Sequence, residues 1–225
     1  VLHLGGCGGK DPAGRLGAAP EFGDGLDGHP GSVGPAGGWA LAPERPWQAL
    51  GMPASLTVRV ATDADVPAVA RALADAFVDD PVMTWLFGSH EDRTRRRLRR
   101  FFTAETRRHL RHPHVFTTDD HVGAACWDPP DCWRTRPRDY VRIFPLMAIA
   151  LGRRASQASR GFGRIERVHS RFPSHYYLSL LGTRPDQQGK GVGSALLQPA
   201  LERCDAEGVG AFLESSKQSN VPFYE

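Results

Sequence analysis

From Leu56 onward the apolar positions settle into alternating strand-like and helical periods. Leu56 to Val60 alternates and predicts a first strand. Val66, Val69, Ala70, Leu73 and Phe77 recur at helical spacing and predict a helix to about Phe77. Thr62 and Asp63 can cap it, and Pro67 falls in the first turn, where proline is tolerated. Asp79-Asp80-Pro81 breaks the pattern, and Val82 to Phe87 follows as a short apolar segment. Glu91 to about Arg111 predicts a second helix, with Leu98, Phe101 and Phe102 inward. Val115–Thr118 and Val122–Trp127 read as a hairpin around Asp119-Asp120-His121, ended by Asp128-Pro129-Pro130. Tyr140 to Leu151 is apolar on one side and predicts a helix that Pro145 should kink. A soft polar loop and a short helix over Gly163–Arg171 follow, and Pro173 leads into a strand from His175 to Leu181. Ser194 to Arg203 is helical in pattern, with Leu196, Leu197 and Leu201 on one side. Gly208 and Gly210 then turn the chain into a strand over Ala211–Glu214, and a last short helix is expected at Val221–Glu225.

Composition changes the picture mainly at the N-terminus. Residues 1 to 51 hold more than half of the 25 glycines and a third of the 18 prolines, without apolar periodicity. Such a segment cannot bury enough apolar area to offset its ordering entropy, so it is expected to be a disordered leader, with one domain spanning 56–225. The chain begins with Val and its first methionine is Met52, so the expectation is a start at Met52 with upstream sequence before it.

The net charge of +3 is too small to be a nucleic-acid signature by itself. Arg93, Arg95, Arg96, Arg97, Arg99, Arg100, Arg107 and Arg108 could form a nucleic-acid patch, but Glu91, Asp92 and Glu105 dilute it and no aromatics interleave. A solvated helix face accounts for them better. Cys7, Cys126, Cys132 and Cys204 show neither C-x-x-C pairing nor metal-ligand spacing, so they read as reduced thiols of a cytoplasmic protein without metal. No apolar run approaches the ~20 residues that span a bilayer, and the first residues lack a signal peptide's pattern.

The chemistry concentrates in Leu178–Gly193, LSLLGTRPDQQGKGVG. An apolar strand closes at Gly182, a polar turn follows, and glycines alternate at Gly189, Gly191 and Gly193 before a helix. Strand, glycine-rich turn and helix present free backbone N–H groups and a positive helix end to phosphate. A Walker loop would need Ser or Thr after Lys190, where Gly191 stands. A dinucleotide fingerprint would need G-x-G-x-x-G directly after the strand, whereas the spacing here is G-x-G-x-G after a polar turn. Gln188-x-x-Gly191-x-Gly193 instead resembles the coenzyme A loop of the GNAT N-acetyltransferases. Residues 180–225 are similar to the puromycin N-acetyltransferase-like, actinobacterial-type members of that family, with fainter similarity back to about Thr57.

The resemblance implies an α/β (α+β) GNAT fold, a mixed, mostly antiparallel sheet flanked by helices. It implies acetyl transfer from acetyl-CoA to a primary amine of a small molecule of the antibiotic-like kind, in a monomer or homodimer. Coenzyme contacts then fall on Leu181, Gly182, Thr183, Gln188, Gly189, Lys190, Gly191, Val192, Gly193, Ser194 and Asn220, with the strand at Leu181–Thr183 splayed from its neighbour. Asp79, Asp80, Trp85 and Phe87 are the acceptor-pocket candidates, and Tyr224 matches a tyrosine that protonates the departing thiolate. The proton acceptor is left between Glu214 at a strand's C-terminal end, His175 with an ordinary pKa near ~6.5, and water. Family members continue past the equivalent of Phe-Tyr-Glu with further strands, so this chain is expected to be a fragment of a longer reading frame. The alternative to an enzyme is an inactive coenzyme A-binding or basic RNA-binding module.

Overall fold

The computed structural model describes residues 2–4, 56–88, 91–133 and 174–224. The helices expected over Tyr140–Leu151 and Gly163–Arg171 lie outside the described residues. The elements are β1 (Leu2–Leu4), β2 (Val58–Val60), α1 (Val66–Ala76), α2 (Pro81–Phe87), α3 (Glu91–His109), β3 (Val115–Thr118), β4 (Gly123–Asp128), β5 (His175–Thr183), α4 (Val192–Glu207), β6 (Gly210–Leu213) and α5 (Val221–Tyr224). They build one six-stranded sheet of order β1-β6-β5-β4-β3-β2, antiparallel throughout except for the β5–β6 pair. This is the mixed, mostly antiparallel α/β architecture expected from the sequence.

Two apolar layers cover the sheet. On one face α1, α2 and α3 bury Val69, Leu73, Phe87, Leu98 and Phe102 against Val115, Ala124, Cys126 and Leu180. On the other, α4 packs Leu196, Leu197, Ala200 and Cys204 against Phe116, Trp127, Tyr176, Leu178 and Leu213. Strand residues alternate between these layers because successive side chains point to opposite sides of a pleated sheet.

Several local expectations need correction. Leu2–Leu4 does not join a structureless leader: it pairs antiparallel with β6, Leu2 opposite Leu213 and Leu4 opposite Ala211. The physical reason is that β6 otherwise presents an unpaired edge, and a short alternating Leu-His-Leu can satisfy it. The apolar segment after Asp80 is a helix, α2, begun by Pro81 at its first position and by Asp80 Oδ1, which accepts from the N–H groups of Val82 and Met83. In front of α1, Thr62 is the N-cap as expected, of a 3-10 turn over Asp63–Asp65, and Asp65 rather than Asp63 completes the capping box by accepting from the Thr62 N–H and hydroxyl. Arg59 and His121 also reach the Asp65 carboxylate and, Arg59 first, hold it well below the usual carboxylate range.

The arginines of α3 are not all solvated. Arg97 donates to the Phe87 carbonyl, Arg95 pairs with Asp75, and Arg108 is largely buried between Glu105 and Asp128. Burial alone would raise the Asp128 pKa, but His109 and Arg108 beside it outweigh that and lower it. This ion cluster ties the end of α3 to the end of β4.

Candidate functional site

The site begins where β5 and β6 part. They run parallel from His175 opposite Gly210 to Leu178 opposite Leu213, and there the pairing stops. β5 continues to Thr183, laddered among the described residues to β4 alone. The parting coincides with an irregularity: Trp127 faces Leu178 while Cys126 faces Leu180, leaving Ser179 as the extra residue of a bulge. A bulge bends its strand and increases local twist. It also resets the alternation, since Leu178 lies in the α4 layer and Leu180 in the α1–α3 layer. Residues 179–183 therefore offer unladdered backbone groups on the side facing away from β4.

The loop that follows is built for close backbone approach. Pro185–Gln187 forms a 3-10 turn, and Gln188 Nε2 donates to the Thr183 carbonyl, fastening the turn to the strand end. Gly189 and Gly191 have φ of 73° and 77°, in the left-handed region that favours glycine. α4 begins at Val192, two residues earlier than its apolar pattern predicts, with Gly191 as its N-cap. Its first-turn N–H groups have no intrahelical acceptor and carry the positive end of the helix dipole. Gly193, inside that first turn, has a packing role: a Cβ there would lie 3.1 Å from the Phe223 ring. On the strand, a Cβ at Gly182 would meet Leu73, Ala76 and Phe77 at 3.0 Å, so glycine lets α1 sit close beneath the parted strand. Lys190 Nζ is exposed and donates to Gln187 Oε1.

The remaining candidates separate by position. Glu214 follows β6 immediately, at the opening, and accepts a 3.2 Å hydrogen bond from the Tyr177 hydroxyl. Two residues on, the Ser216 hydroxyl donates to Asp80 Oδ2, bringing the start of α2 beside this chain end. Asp79 is exposed, and Trp85 is 38% exposed on α2. Phe87 is 1% exposed and packs at a tilt on Phe101 at 5.4 Å, in the core under α1–α3. Tyr224 packs on the α4 layer, where burial pushes its phenol up to about 12. Asn220 is exposed at the end of a 3-10 turn leading into α5. His175 is buried at the closed end of the parallel pair against Phe212, about 10 Å from the opening at ~3.3 Å per strand residue.

Sequence reasoning passed over Ser179 and Tyr177. The signal for the first was present: Leu180-Leu181, two apolar neighbours after an alternating run, cannot both face one layer. Tyr177 carried no such signal, because its partner lies 37 residues away.

The arrangement is a parted strand edge, a glycine turn and a helix start in series. A family model described as "Acetyltransferase (GNAT) family" matches residues 74–225. The chain belongs to the GNAT acetyltransferase family. An uncharacterised N-acetyltransferase of Schizosaccharomyces pombe is 27% identical over 175 residues, covering 72% of this chain and 69% of that protein. The solved structure of a histone acetyltransferase HPA2 and related acetyltransferase from Corynebacterium glutamicum is 26% identical, with a TM-score of 0.52, covering 76% of this chain and 82% of that one. As a GNAT protein the chain is an acyltransferase, and members of the family use acetyl-CoA. The residues here fit that cosubstrate: the positive-φ glycines clear a path for a diphosphate, and the unladdered strand edge suits an amide-bearing arm. Among the described residues, no group of three or more His, Cys, Asp or Glu is placed to hold a metal, and no helix is long and apolar enough to cross a membrane.

Proposed function

We propose that this protein transfers the acetyl group of acetyl-CoA to a primary amine of a small molecule, by direct attack of the amine on the thioester. The observation that carries the reading is the end of β5–β6 pairing at Leu178, with the strand running on into the glycine turn and α4. Backbone groups of Leu181, Gly182 and Thr183 hold the arm, and one N–H there stabilises the developing oxyanion, a contribution of roughly 3 kcal/mol for such a donor. The loop from Gln188 to Ser194, through Gly189, Lys190, Gly191, Val192 and Gly193, takes the diphosphate. Asn220 borders the arm.

Glu214 accepts the proton that the attacking amine gives up. It stands at the opening, next to the α2 start that Asp80 links to Ser216, so Asp79, Asp80 and Trp85 border the acceptor. Tyr224 donates its phenolic proton to the departing thiolate; with its pKa near 12 it is neutral and protonated at pH 7. Glu214 bonds on the α1–α3 side and Tyr224 packs on the α4 side, so proton removal and proton delivery act from opposite faces of the sheet opening.

Mass-spectrometric detection of acetyl transfer to a panel of small amines tests this directly. Because one structural neighbour is described as a histone acetyltransferase HPA2, the panel includes lysyl peptides. Acetylated small amines are the expected products. Acetyl-CoA binding with no amine acetylated would overturn the reading, and acetylated peptides alone would move it to a protein acceptor.

A further inference from the structure

One polar contact of the site has no place in the acid–base scheme above. Tyr177 sits in the closed half of β5, opposite Phe212 of β6 and opposite Asp128 of β4. Its ring lies 6.3 Å from Phe212, and its hydroxyl reaches diagonally past the end of β6 to Glu214 Oε2 at 3.2 Å. Glu214 itself lies beyond the last ladder pair, Leu178 with Leu213. A side chain just outside a sheet is held by what its neighbours offer it, and here the paired, two-sided core offers a phenol among its partners.

We infer that Tyr177 is the positioning residue for Glu214, tying the proton acceptor at the open end to the rigid closed half of the strand pair. The inference rests on the reading of Glu214 as the base. Burial, reinforced by the Glu214 charge and its hydrogen bond, pushes the Tyr177 phenol well above its ordinary pKa, so it remains a donor at every working pH. A donor to a carboxylate favours the charged form and so lowers its pKa. The bond thus fixes one carboxylate oxygen, Oε2, in place.

Among the described residues, other groups on this face set the background field. They are His175 on β5, Cys126 and Asp128 on β4, Glu105, Arg108 and His109 on α3, and Asp80 at the start of α2. Asp128 and Glu105 are engaged by Arg108, and Asp128 by His109 as well.

The test is the pH profile of kcat/KM for the full chain with acetyl-CoA and the best amine of the panel. Glu214→Gln should abolish the acid limb. Tyr177→Phe should keep the limb and displace it upward by about one pH unit, with KM for acetyl-CoA unchanged. A limb that survives Glu214→Gln overturns the base assignment. A limb abolished by Glu214→Gln yet unmoved by Tyr177→Phe overturns the positioning role alone, and leaves Tyr177 as packing. Carboxyl-13C titration of Glu214 reads the same midpoint without turnover. It should rise in Tyr177→Phe and fall when a fluorinated tyrosine, a stronger donor of the same shape, stands at 177. A midpoint that moves with neither overturns the inference, including where Tyr177→Phe folds poorly and only the fluorinated protein can be measured.

Discussion

The two halves of β5 make opposite use of the same backbone. From His175 to Leu178 the strand is laddered on both sides, and Tyr176 and Leu178 bury into the α4 layer. From Ser179 to Thr183 it is laddered to β4 alone. The first half is core, and its polar groups are spent on the fold. The second, among the described residues, has backbone donors and acceptors outside any ladder on one side, and a row of that kind is normally a liability that proteins cover. Here it leads straight into a glycine turn and a helix start. A single extra residue, Ser179, separates the two behaviours. The comparison teaches that an unladdered edge can be made inside a sheet by ending one ladder early, with no new element.

If the open half is the coenzyme edge, the largest effect should come from obstructing its continuation. Gly191→Asp places bulk and negative charge where the diphosphate must lie, while aspartate is one of the residues that tolerates the left-handed φ of 77°. Affinity for acetyl-CoA measured by calorimetry should fall at least ~100-fold, with the melting temperature little changed. Unchanged affinity would break the comparison, because the open half would then end in an ordinary turn.

A smaller effect belongs to Tyr224, which the open half serves without being part of it. Tyr224→Phe keeps the ring on the α4 layer and removes only the oxygen. The turnover number should fall by ~10²-fold, with KM for acetyl-CoA nearly constant. Turnover within about threefold of the parent at neutral pH would leave Tyr224 as a packing residue.

The smallest catalytic effect is expected at the closed end. His175 is 4% exposed and stacks on Phe212 beside the first ladder pair. His175→Asn should cost stability, by about 1–3 kcal/mol in urea unfolding, since the ring's contacts are lost in the core. The acid limb of the pH profile should stay where it is and turnover should remain within about threefold of the parent. Loss of that limb would restore His175 as the base and erase the functional distinction between the two halves.

Much of this was legible without coordinates, for a local reason. Alternating and helical periods marked α1, α3, β3, β4 and β5 to within two residues, because burial of one face imposes those periods on the sequence itself. The glycine turn was legible because φ near +75° strongly favours glycine, so a backbone requirement is written directly as residue type. Asp79-Asp80-Pro81 likewise announced a helix boundary, though not that Asp80 would cap the next helix and also receive Ser216.

Other features belong to the tertiary structure alone. Phe87 and Trp85 look alike in an apolar segment, yet one is core beside Phe101 and the other lies 38% exposed. Arg108 looks like its arginine neighbours until β4 brings Asp128 against it. Leu2–Leu4 reads as part of a glycine-rich leader and becomes a strand only because β6 offers it an edge. By itself the sequence determined the periods of burial and the positions that need glycine, since each is a demand one residue meets on its own. The length of the β5–β6 ladder, and which acid or phenol stands at its end, required strands distant in the chain to be laid side by side, because a hydrogen bond such as Tyr177 to Glu214 depends on register and not on either residue's neighbours.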